Sequence, residues 1–107
     1  MGYHIDTWGE FKIEPAMTPG HVKLFNYFSK QLANYTGYWK ADNNEIKWES
    51  EINKSYPSPT ILNKLISTYL NHWGYTIRGK VFYQGENQND YGEIIIKNKK
   101  AYGVHKI

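Results

Sequence analysis

The sequence predicts an α+β fold in one domain, residues 1–107: a mostly antiparallel sheet of four or five strands with two helices on one face, in the order β-α-β-α-β-β-β. Two segments place apolar residues at helical spacing directly behind a hydroxyl residue and a proline, the mark of a helix start. Five others alternate apolar and polar residues as half-buried strands do, and the last three follow one another with only short polar breaks. A chain of 107 residues is long enough for one core and too short for a second domain of ordinary size.

In YHIDTWGEFKI, residues 3–13, Tyr3, Ile5, Phe11 and Ile13 fall on one face, and His4, Asp6, Trp8, Glu10 and Lys12 on the other. Gly9 in its middle predicts a bulge or a close approach by another backbone, and Pro15 ends the pairing. Thr18 and Pro19 then open a helix as N-cap and first helical residue. Val22, Phe25, Phe28 and Leu32 make its buried stripe, with Leu24 and Tyr35 at the margins and Gly37 as its end. EIKWES, residues 45–50, reads as a short edge strand whose charges discourage pairing with another chain. Ser58 and Pro59 repeat the start signal for a second helix, whose wide apolar face runs through Ile61, Leu62, Leu65, Ile66, Tyr69, Leu70 and Trp73 to a stop at Gly74. Strands follow at 75–83, 91–97 and 101–107, joined by a loop at 85–90 and a tight lysine-rich turn near Asn98.

Cysteine is absent, so neither disulfides nor thiolate metal sites are available, and stability must come from packing. The 4 Trp, 10 Tyr and 4 Phe supply it, each worth roughly 2–3 kcal/mol when fully buried. With no long apolar stretch and no charged-then-apolar leader, the expectation is a protein that meets no membrane and works in a bacterial cytoplasm. The net charge of +3 is mildly basic, and every cation but Arg78 is a lysine. Sequence-reading nucleic-acid proteins lean on arginine for bidentate contacts, so weak attraction to phosphate is expected and specific readout is not. Lys97, Lys99 and Lys100 form the one basic cluster and read as a solvated turn.

If the helices cover the side carrying Ile5, Phe11, Ile13, Ile77, Val81, Ile94, Ile96 and Val104, the opposite side presents Trp8, Phe82, Tyr91 and Ile95 among His4, Asp6, Arg78, Lys80 and Glu93. That face is apolar for one open to water. It predicts an interface, formed by Phe82, Ile95, Trp8 and Glu93, in a homo-oligomer or with another partner; stacking of nucleobases on its aromatics is the alternative.

Motifs for chemistry are sparse. His4, His21, His72 and His105 lack metal-ligand spacing, and no nucleophile elbow or glycine-rich phosphate loop occurs, so no catalytic residue, metal or cofactor is assigned. His72 reads as a cation favourable to the C-terminal carbonyls of the second helix. Glu86, Asn87 and Asp90 sit in the loop GENQND, where paired acids suggest a ligand contact. The same residue types are what a hairpin loop selects for its own backbone hydrogen bonds, and that reading ranks first.

Two patterns, GYxIDxxGEFKIxPxMTxxH at residues 2–21 and WGYxxxGxVxxQGExxxDxGxIxI at residues 73–96, resemble a family of small proteins of bacteriophages and bacterial mobile elements to which no catalytic function is assigned. The likeness covers both ends of the chain; residues 37–57 match only in a tryptophan and an edge-strand character. It implies an accessory phage product in the host cytoplasm, by analogy a non-enzymatic factor that counters host defence. The expected mode is capture of a small nucleotide-derived immune signal at an oligomer interface. Trp8, Tyr3 and Tyr91 would stack the base while Arg78 and Lys80 hold phosphate. The alternatives are an anti-CRISPR-like inhibitor that docks on a host defence protein, and a weak single-stranded nucleic-acid binder.

Overall fold

A computed structural model describes residues 3–33, 37–50 and 55–106. The elements run β1 (Ile5–Glu14), α1 (Pro19–Leu32), β2 (Tyr38–Ala41), β3 (Glu45–Glu49), α2 (Pro59–Leu65), β4 (Thr76–Gly85), β5 (Tyr91–Lys97) and β6 (Lys100–Lys106). Beyond Leu65 the second helix continues through a π-helical segment, Ile66–Leu70, into a last turn, Asn71–Trp73. All strands belong to one antiparallel sheet of order β2-β3-β1-β4-β5-β6. The α+β fold with two helical segments is as the sequence predicts, and the sheet has six strands rather than four or five.

The added strand is β2, in which Trp39 and Ala41 face the core and Lys40 faces out. It forms a hairpin with β3 through Asp42, whose side chain accepts from the Asn44 and Glu45 N–H groups. EIKWES is therefore not an edge: β3 lies between β2 and β1. Gly37 does not end α1 either. The helix stops at Leu32 with Ala33 as its C-cap, and Gly37 sits where a Cβ would overlap the Trp48 ring. Tyr35 lies outside the described residues, and Leu32 is exposed rather than part of the buried stripe.

Thr18 and Ser58 cap their helices as expected, each accepting from the N–H three residues on, with proline at the first helical position. Gly74 supplies the left-handed residue, φ 88°, that ends the second helix. Gly9, at φ 90°, makes no bulge, because β1 pairs with β4 without interruption from Ile5↔Gly85 to Glu14↔Thr76. It is a close approach: a Cβ there would stand 2.6 Å from the Lys80 carbonyl oxygen.

Between helices and sheet lies one core of Phe11, Ile13, Phe25, Trp39, Ile46, Leu62, Leu65, Leu70, Val81 and Ile94 with their neighbours. Trp39 is fully buried against Phe11 and Trp48 and satisfies its indole N–H on the Ser58 carbonyl, 2.8 Å away. The helices meet through an aromatic file, with Phe28 stacked on Tyr69, Tyr69 tilted against Trp73, and Trp73 stacked on His21. Each outer strand is closed by an asparagine. Asn26 of α1 bonds both the N–H and the C=O of Ala41 (2.7 and 3.0 Å), and Asn63 of α2 does the same for Ala101 (2.6 and 2.8 Å).

Val104 corrects one expectation. It pairs with Glu93 on the uncovered face, while Ala101 and Gly103 point toward α2. The reason is alternation: Asn63 binds the Ala101 backbone and a Cβ on Gly103 would meet Pro59 at 3.4 Å, so these two positions take the side under the helix and Tyr102 and Val104 take the other.

Candidate functional site

The uncovered face is divided. Under β2 and β3 it is charged, with Lys40, Lys47 and Glu45 outward and Lys12 bonded to Glu45 at 2.7 Å. Across β1, β4, β5 and β6 it is apolar. One cross-strand row reads Trp8, Phe82, Glu93, Val104, and the next reads Glu10, Lys80, Ile95, Tyr102. Trp8 and Phe82 stack with centroids 5.8 Å apart, yet Trp8 stays 50% exposed, and Tyr102, Val104 and Tyr91 are open to solvent beside it. Three strand spacings of about 4.8 Å separate Trp8 from Val104, so the apolar area is roughly 15 Å across, the size of an interface core.

Glu93 lies inside that area and is only 9% exposed. Phe82 and Val104 flank it on the neighbouring strands, and the Lys80 ammonium lies 3.7 Å from its carboxylate. The attraction between such a carboxylate and its lysine grows when water is displaced from around the pair.

Of the residues assigned to ligand binding, Trp8, Lys80 and Tyr91 share this face, and so do the interface residues Phe82, Ile95 and Glu93. Arg78 is on the same face one row beyond Lys80, held by Glu14 at 2.9 Å. Tyr3 is elsewhere. Its hydroxyl donates to Asp90 at 2.7 Å and accepts from the Asn87 N–H at 3.0 Å, at the foot of the loop after β4. Tyr102 and Val104 belong to the apolar face and were not assigned to it; counting the alternation outward from Ala101 finds both.

The loop itself is internally satisfied. Gln84 donates its amide to the carbonyl oxygens of Gly85, Asn87 and Asp90, and Glu86 accepts from the His4 N–H at 2.8 Å. The Asp90 carboxylate accepts from Tyr56 and Tyr3, which hold its pKa below the ordinary carboxylate range, the Tyr56 bond first. The same bond pushes the Tyr56 phenol up to about 12, and desolvation raises Tyr3 and Tyr83. A general acid or base works best near the ambient pH, and these phenols are tuned away from it. The cluster is a latch that ties the loop to Tyr3 and Tyr56.

Among the described residues no three acidic or histidine side chains converge as a metal site requires, and no helix is long and apolar enough to cross a membrane. No family model, no characterised protein and no solved structure matches the chain.

Proposed function

We propose that this chain is a non-enzymatic phage accessory protein that counters host defence by docking the apolar half of its open sheet face on a host defence protein. The observation that carries it is the half-exposed Trp8–Phe82 stack set in an apolar area around a sheltered Glu93. Exposed tryptophan and tyrosine in an apolar area with a charged margin are the usual composition of an interface whose energy is concentrated in a few residues. The phage setting rests on the resemblance of residues 2–21 and 73–96 alone.

Capture of a nucleotide signal, which the sequence favours, fits this face less well. Arg78 and Lys80 are already paired with Glu14 and Glu93, and Tyr3 is not on the face. A second copy would have to supply the other wall of any such pocket.

The test is purification from host cells, with native mass spectrometry of the wild type and of Trp8→Ala/Ile95→Asp. The expected result is a stoichiometric complex with one host protein that the double variant loses while its circular dichroism is unchanged, together with loss of protection of the phage. A free monomer whose double variant protects the phage equally well would sink the reading. A nucleotide in the heat-denatured extract of the wild type that the Trp8→Ala/Ile95→Asp variant lacks would replace it with signal capture.

A further inference from the structure

We propose that the cavity between the second helix and the β5–β6 turn is a binding site for a small phosphorylated molecule. It lies at the opposite end of β5 from the loop latch, and Asn63, Ser67, Asn71, Asn98, Lys99 and Lys100 line it with Ile66 as an apolar wall. Its volume of about 510 Å³ is within the range of small-molecule sites, roughly 300–1,000 Å³. A narrow apolar cleft formed by Leu70, Tyr75 and Ile77 continues from it through the shared residues Ile66, Asn71 and Lys99.

The lining sets the ligand's chemistry. Lys99 brings an ammonium group and Asn71 and Asn98 bring carboxamides, with no carboxylate; the Asn63 carboxamide is shared with Ala101 and the Ser67 hydroxyl with the Lys64 carbonyl, Lys100 pairs with Lys97 on the uncovered side, and no ion pair engages Lys99 among the described residues. Such a donor set suits an anion with several acceptor oxygens. Ile66 and the apolar cleft suit an organic group attached to it.

Two backbone features on opposite walls set this cavity apart from an ordinary surface groove. The two-residue turn places Asn98 and Lys99 at φ 54° and 60°, a conformation that glycine and asparagine adopt readily and lysine rarely does. Glycine would relieve the turn, and the lysine that stands there lines both the cavity and the cleft. Facing it, the helix widens to a π-helical segment at Ile66–Leu70, with the Asn71 N–H bonded to the Ile66 carbonyl. Segments of this kind are frequent at functional sites because the extra residue re-aims the side chains around it.

The probes are adenosine 5′-monophosphate and inorganic phosphate, titrated into the full chain and followed by backbone amide NMR. The monophosphate is expected to give saturable shifts at Ser67, Asn71, Lys99 and Lys100, with weaker shifts from inorganic phosphate at the same amides. Lys99→Gly is expected to weaken binding about tenfold or more while raising Tm by removing the left-handed lysine. Trp8→Ala leaves binding unchanged, so failure here is separable from failure of the proposed docking face. Absence of saturable shifts would overturn the proposal. So would shifts produced only by a single-stranded oligothymidylate with steep salt dependence, which would mark a polyanion surface, or only by phosphatidylglycerol vesicles, which would mark a lipid headgroup contact.

Discussion

Asp90 carries two phenol hydrogen bonds, and its neighbour in space, Gly85, has no room for a Cβ because Asp90 and Tyr3 fill that volume. The carboxyl pKa is lowered in the folded state, so the stabilisation it gives is present above the ordinary carboxylate range and is lost as pH falls through the folded value. Tyr56 has the opposite sign. Its contribution is present below about pH 10 and is lost as pH rises through about 12. Tyr56→Phe is therefore expected to raise the Asp90 pKa toward 3.8, read from its side-chain carbon shift, and to shrink the acid limb of the stability profile. An unchanged Asp90 titration would show that Tyr56 does not hold it. The sequence marks GENQND as a turn with acids in it. That Tyr3 and Tyr56, far away along the chain, are what those acids bind could not be seen before the ends of the chain were brought together.

At the scale of elements, both outer strands are terminated by helix side chains rather than by charge alone. Asn63 and Asn26 each present a carboxamide that copies the donor and acceptor spacing of a neighbouring strand. Asn63→Ala leaves the Ala101 N–H and C=O without that partner at an edge, at a cost of about 2 kcal/mol for two hydrogen bonds. It also opens β6 to pairing with other chains. Urea unfolding should show the loss and light scattering the association, and Asn26→Ala should do the same at β2. Helix starts, the Gly74 stop and the β5 limits were legible in the sequence because caps and alternation are local signals. Strand β2 and the place of β3 inside the sheet were not, since position in a sheet is settled by which strands pair across the chain.

For the whole molecule, the two faces of one sheet face different fates. Phe11 and Trp8 lie on the same strand and are both large aromatics; one is fully buried and the other half exposed. Phe11→Ala is expected to cost about 3–5 kcal/mol, the range for truncating a packed aromatic, whereas Trp8→Ala costs about 1 kcal/mol, the worth of an exposed ring pair with Phe82. Denaturant midpoints of the two variants check this. Near-equal losses would mean that Trp8 serves the fold and not a partner.

The sequence by itself determined the two helices and their caps, the alternation that sends Phe82 and Ile95 outward, and the turn at Asn98, all through interactions between residues close along the chain. Tertiary structure alone decided that Tyr3 leaves the face it was grouped with, and that Asn71 and Lys99 meet across a cavity. Those outcomes depend on which volumes the helices occupy once they pack. Local periodicity carries no record of that, because space under a helix is assigned by the whole core at once.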